Sequence, residues 1–187
     1  MTAGRRMARP APPGVGAKNE IAAMIRVDHA GEYGAVRIYE GQLAVFATDK
    51  SKSKIVAVIR QMAKQEEEHL KAFDLLVNER HVRPTALEPV WRVAGFALGA
   101  ATALMGEKTA MACTAAVEDV IDRHYAGQIE RLGDSDPALK KTIEKFRADE
   151  IAHRDTALAR GAEQAPALLG GAIKAGCRLA IALSTRI

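Results

Sequence analysis

Two glutamate–histidine pairs stand on helical stripes that are otherwise apolar. In the run IVAVIRQMAKQEEEHLKAFDLLV, alternating steps of four and three mark Ile55, Ile59, Met62, Glu66, His69, Phe73 and Leu76. A later run gives Leu139, Ile143, Phe146, Glu150, His153 and Ala157. Residues three apart on a helix share a face, so each pair points a carboxylate and an imidazole in one direction. Glu32 interrupts a third stripe, Ile21, Ile25, Asp28, Glu32, Ala35, Tyr39, Gln42 and Phe46, and Glu118 lies in a fourth helical segment. Four buried carboxylates cannot all stay ionised side by side without cations. Two divalent metals would balance them, and a mixed carboxylate and imidazole donor set suits iron or manganese with positions left open for oxygen.

The two halves of the chain repeat this plan. Glu32 is followed by Tyr39 and Gly41-Gln42, and Glu118 by Tyr125 and Gly127-Gln128, so both read E-x6-Y-x-G-Q. Each block is then followed, at similar distance, by a Glu-x-x-His helix. One such tetrapeptide is weak, because glutamate-rich helices produce it by chance; two copies on apolar stripes, each after a matching block, are specific. A lone Glu from each of two helices plus Glu-x-x-His from each of two others is the ligand pattern of ferritin-like di-iron bundles. The expected fold is therefore all-α, a ferritin-like four-helix bundle of two helix-pair repeats with two additional apolar helices. Glu40, Glu67, Glu68 and Glu130 fall off the stripes and read as surface charge.

The elements that must carry these residues are delimited by turn chemistry. Helices are expected from Asn19, as N-cap, to about Ala47, over 54–79, from Val90 to about Met105, from about Lys108 to Leu132, from Pro137 to Arg160, and from about Pro166 to Ser184. Aromatic residues make up only 4% of the 187 residues and strand-like alternation is nearly absent, which agrees with an all-helical chain. The net charge of +4 resides in Arg5, Arg6, Arg9 and Lys18, with no acid before Asn19. Residues 1–18 read as a disordered basic arm and 19–187 as one electrically balanced domain, which excludes a nucleic-acid-binding face. Cys113 and Cys177 form no CxxC pair, so neither a structural zinc site nor a disulfide framework is expected.

IRVDHAGEYGAVRIYEGQ, QEEEHL, RPTALEPVWRVAGFALGAATALMG, MACTAAVEDVIDRHYAGQI, KFRADEIAH and IKAGCRLAIALSTRI together resemble the demethoxyubiquinone hydroxylases of ubiquinone biosynthesis, the clock-1 family, over about residues 21–187. The resemblance implies a monooxygenase that adds a ring hydroxyl to a demethoxyubiquinol with O2, using two iron ions held by Glu32, Glu66, His69, Glu118, Glu150 and His153. It also implies a polyprenyl quinol substrate, an electron donor and contact with other ubiquinone-biosynthesis proteins. Asp149 is a candidate partner for the free N–H of an opposing histidine, Gln65 being its counterpart in the first half. Tyr125 and His124 are candidates for quinol positioning or electron delivery. The family's eukaryotic members carry a longer targeting extension, so a bacterial protein is expected, at the cytoplasmic face of the inner membrane; the mitochondrial equivalent is the matrix side of the inner membrane.

A polyprenyl tail needs an apolar surface. Val93–Gly106 is uncharged but shorter than the ~20 residues that cross a bilayer. With LLGGAIKAGCRLAIAL it reads as an interfacial face whose Lys174 and Arg178 heads snorkel, giving peripheral attachment. Burial of both segments against each other or at a homo-oligomer interface is the plainer alternative, and Gly95-x-x-x-Gly99 permits close packing in any of these cases. Gly31 and Gly34 flank Glu32 in mid-helix, where each costs roughly 1 kcal/mol relative to alanine; they imply a close helix approach or room for substrate. Iron storage of the ferritin type shares the ligands and is the alternative function. A rubrerythrin-like peroxidase lacks its cysteine set here, and a helical adaptor would bind no metal.

Overall fold

The computed structural model describes residues 15–187, with side chains from Asn19 onward. Six α-helices follow one another: α1 Val15–Phe46, α2 Ser53–Glu79, α3 Glu88–Leu104, α4 Glu107–Leu132, α5 Pro137–Ala159 and α6 Ala167–Ser184. There is no strand among the described residues, as the sequence leads one to expect. The arm assigned to residues 1–18 lies outside the described residues as far as residue 14. From Val15 the backbone is already helical, so Asn19 is not the N-cap. No proline lies between Pro13 and Asn19, and Ala17 and Lys18 are good helix formers, so nothing stops the helix from running back a further turn.

The other ends obey their punctuation. Asp136 accepts from Leu139 N at 3.0 Å and caps α5, whose first turn holds Pro137. Gly161, at φ 85°, stops that helix. Pro89 fits the first turn of α3, so the helix begins at Glu88, before the expected Val90.

Short connections make α1 with α2, and α4 with α5, helix pairs, and the two pairs face each other to form the bundle. Its interior is layered. Phe46, Ile55, Ile59, Met62, Met111 and Ala157 fill one end; Ile25, Phe73, Leu132, Leu139, Ile143 and Phe146 fill the other. Between these two apolar plugs the stripes carry their polar residues.

The two extra helices dock outside this bundle, α3 on α1 and α6 on α4. α1 is consequently buried on two faces: Ile25, Glu32 and Tyr39 face the bundle, while Ile38 and Gly41 belong to the side covered by α3 and α6. The α1–α3 crossing is close enough to require glycine. A Cβ added at Gly99 would lie 2.8 Å from the Ile38 carbonyl carbon, and one at Gly95 would lie 2.9 Å from the Gly34 oxygen. Gly95-x-x-x-Gly99 thus serves helix packing, whereas a Cβ at Gly31 or Gly34 would meet nothing within 4 Å.

The far end of α6 is tied down. Trp91 Nε1 donates to Ser184 Oγ at 2.9 Å, Ala86 N to Ile187 O at 3.2 Å and Arg26 to Thr185 O at 3.3 Å. Lys174 does not snorkel; its Nζ lies 2.7 Å from Asp119 on α4, because a carboxylate one helix away is within reach. The outer faces of α3 and α6 remain apolar and exposed at Val90, Val93, Phe96, Leu104, Leu168 and Leu179.

Candidate metal centre

Glu32 from α1, Glu66 and His69 from α2, Glu118 from α4, and Glu150 and His153 from α5 meet at mid-bundle, none more than 3% exposed. They form two overlapping groups whose donor atoms lie within 4.8 Å of one another. Glu32, Glu66, His69 and Glu150 make one; Glu66, Glu118, Glu150 and His153 make the other. Glu66 and Glu150 are common to both, so any ions held by the two groups would share these carboxylates.

Each imidazole turns Nδ1 inward. His69 Nδ1 is 3.1 Å from Glu150 Oε1 and 3.4 Å from Glu32 Oε2; His153 Nδ1 is 3.0 Å from Glu66 Oε1 and 3.4 Å from Glu150 Oε2. These approaches lack hydrogen-bond alignment. Both Nδ1 atoms, both oxygens of Glu66 and Glu150, and Oε2 of Glu32 and Glu118 are buried without a hydrogen-bond partner. Orphaned buried polar atoms are rare and strongly unfavourable, and here all of them from these six residues face one centre. The donor set therefore fits two divalent cations.

The outward nitrogens are fixed. His69 Nε2 donates to Asp149 Oδ2 and His153 Nε2 to Gln65 Oε1, each at 3.1 Å. Both acceptors directly precede a Glu-x-x-His glutamate, and one step back along the helix turns them toward the histidine of the facing helix. Since both groups accept, the neutral form of each ring keeps its proton on Nε2 and turns the Nδ1 lone pair toward the centre. The tyrosines of the repeat do the same for the outer carboxylates: Tyr39 donates to Glu118 Oε1 at 2.9 Å, and Tyr125 donates to Glu32 Oε1.

Electrostatics in the absence of cations follow from this crowding. Burial, reinforced by the charge of Glu150, pushes the Glu66 and Glu118 carboxyls well above the usual range, and burial raises Glu32. Burial also acts upward on Glu150, but the flanking His153 and His69 outweigh it and hold the group at about 2. The imidazoles resist burial in the same way. His69, facing Glu150 and Glu32, is raised to about 11, and His153, facing Glu150 and Glu66, to about 9. Protons on the imidazoles and the raised carboxyls thus occupy the place cations would take.

Tyr125 is fully buried on Glu32, whereas His124 touches none of the six. Its Nε2 lies 3.1 Å from Asp28 Oδ1, to which Gln128 also donates at 2.7 Å. Asp28, Tyr39 and Gln128 are the participants that reasoning from the sequence gave no role, although the E-x6-Y-x-G-Q repeat and the place of Asp28 on the buried stripe both flagged them. A groove of about 560 Å³ between α4, α5 and α6, floored by Ala112, Ala115 and Ala116, touches none of the six residues.

Comparison with known proteins bears on this site. The family described as ubiquinone biosynthesis protein COQ7 matches residues 19–184. A Rhodospirillum rubrum protein named 3-demethoxyubiquinol 3-hydroxylase is 59% identical over 165 residues, covering 87% of this chain and 76% of its own length. The proteins of Dictyostelium discoideum and Homo sapiens, both named NADPH-dependent 3-demethoxyubiquinone 3-hydroxylase, mitochondrial, are each 51% identical. The Dictyostelium alignment spans 172 residues, 89% of this chain and 77% of that relative; the human one spans 170 residues, 88% and 76%.

Proposed function

The chain belongs to the ubiquinone biosynthesis protein COQ7 family, and on that premise we propose that it is a monooxygenase that hydroxylates the ring of demethoxyubiquinol with O2. The observation that carries the reading is the pair of donor groups sharing Glu66 and Glu150 at the centre of the bundle. We assign Glu32, Glu66, His69, Glu118, Glu150 and His153 as the residues that hold two iron ions. When bound, those ions supply the one-electron chemistry that activates O2.

The protein's share is positioning and exclusion of water. Asp149 and Gln65 fix the imidazoles, Tyr39 and Tyr125 hold the outer carboxylates, and the apolar plugs keep both ends of the centre dry. The open surface at Gly31, the chain neighbour of Glu32, is the assigned approach for the quinol ring. Any part that Tyr125 and His124 play in ring positioning or electron delivery runs through Glu32 and Asp28, the groups they touch. NADPH, named for the human and Dictyostelium relatives, is the proposed source of electrons.

The exposed outer faces of α3 and α6 are assigned to the polyprenyl tail and to the membrane surface, on the cytoplasmic side of a bacterial inner membrane. α6 is 18 residues long with a mean hydropathy of 1.4, sufficient by length and composition to cross a bilayer. Its contacts with α4 through Ile173 and Lys174 favour lying along the surface instead. Iron storage uses the same donors, but a storage shell has no use for these apolar faces.

Complementation of a bacterial strain that accumulates demethoxyubiquinone, wild type beside Glu118→Ala, tests the activity. Wild type restores ubiquinone and the variant does not. Purified wild type that binds iron yet leaves the intermediate unconverted in the complemented strain overturns the hydroxylase reading in favour of storage.

A further inference from the structure

The internal duplication makes the two metal positions alike in almost every near contact. Each has one outer glutamate with a tyrosine on Oε1, Glu32 with Tyr125 and Glu118 with Tyr39, and both share Glu66 and Glu150. Each has one histidine facing inward through Nδ1. The groups behind the histidines differ in kind. Nε2 of His69 donates to a carboxylate, Asp149, whereas Nε2 of His153 donates to a neutral amide, Gln65, at the same 3.1 Å.

A carboxylate behind an imidazole N–H raises the electron density on the opposite ring nitrogen and strengthens it as a ligand, and such charge-assisted bonds are roughly twice as strong as neutral ones. From this asymmetry we propose that the two positions are inequivalent: the one formed by Glu32, Glu66, His69 and Glu150 binds its divalent ion more tightly and fills first, and the one formed by Glu66, Glu118, Glu150 and His153 fills second. Asp149 and Gln65 act as positioning residues that set this order. The inference rests on the metal assignment made above and adds to it a sequence of loading.

The test is titration of the metal-free full chain with Mn(II), followed by loss of the free-ion electron paramagnetic resonance signal. Wild type takes up two ions in separable steps. Asp149→Asn weakens the first step by about 10-fold or more, the usual effect of removing such a partner, bringing it down toward the second. Gln65→Glu strengthens the second step, a gain of affinity that a misfolded variant cannot imitate. Two indistinguishable steps in wild type, a first step unmoved by Asp149→Asn, or a second step unmoved by Gln65→Glu each overturn the loading order while leaving the metal assignment standing. A wild-type chain that takes up no Mn(II) and no Fe(II) overturns both.

Discussion

Gly99→Ala isolates the seating of α3 on α1. In an exposed helix interior this change stabilises by about 1 kcal/mol, because alanine restricts the unfolded chain and favours the helix. At position 99 the new Cβ would stand 2.8 Å from the Ile38 carbonyl carbon and 3.0 Å from its Cα, and closer still to the Ile38 oxygen. Ordinary contacts between such atoms are about 3.5–4.0 Å. All the obstructing atoms are backbone, so no side chain can swing away and α3 must withdraw by roughly 1 Å along its contact with α1. Overpacking of this kind costs about 1–3 kcal/mol, and with rigid backbone on both sides the upper part of that range applies. The net expectation is destabilisation by about 1–2 kcal/mol after the helix gain is subtracted. Gly171→Ala is the internal control: it is exposed in α6 with nothing within 4 Å of an added Cβ, and should stabilise by up to about 1 kcal/mol. Urea denaturation of the metal-free chain, compared at constant m, reads both. Metal stoichiometry should not change, since α3 contributes no donor. If Gly99→Ala matches or exceeds wild-type stability, the α1–α3 crossing has room for a methyl group and the expected clash with the Ile38 backbone is refuted.

Three further outcomes follow from the centre and from one helix cap. The raised carboxyls of Glu32, Glu66 and Glu118 and the raised imidazoles of His69, about 11, and His153, about 9, all bind protons more tightly folded than unfolded. Their contribution is complete below the unfolded values and is lost as pH rises, so the metal-free melting temperature should fall from about pH 6 to about pH 9 and bound Mn(II) should suppress the fall; a flat metal-free profile refutes this. Glu66→Gln keeps the shape and replaces a buried carboxyl that the metal-free fold must otherwise protonate, so the metal-free protein should gain about 1–3 kcal/mol, while uptake of both ions weakens because this donor belongs to both groups, measured by denaturation and metal analysis. Asp136→Ala removes the α5 cap and the Arg80 partner and should cost about 1–2 kcal/mol at neutral pH. Because the Arg80 guanidinium lowers the Asp136 pKa, that difference should shrink as pH falls below about 4, as followed by denaturation at each pH.

The bundle and the convergence of the six side chains can be read from the sequence because both rest on local rules. Pro137, Gly161 and the GDSDP turn mark helix ends by backbone chemistry, and Glu66 with His69 reveals itself by breaking an apolar period. Even the crossed support of Asp149 and Gln65 is foreseeable, since each position follows from its place one residue before a glutamate. What stays hidden depends on packing between distant segments. That Ile38 and Gly41 on α1 lie under neighbouring helices cannot be told from periodicity, because a helix covered on two faces has no clear stripe. His124 meeting Asp28 joins residues far apart in the chain, and Lys174 turning to Asp119 reflects a neighbour that composition does not announce.

Neither helix pair contains a whole metal position: the group around His69 needs Glu150 from the second pair, and the group around His153 needs Glu66 from the first. During synthesis, therefore, a nascent chain that has emerged from the ribosome only through α2 has just Glu32, Glu66 and His69 of the six donors to offer an ion. Cation capture has to wait until α5 is released and docks. It is a late event that locks a finished scaffold and cannot seed the first hairpin.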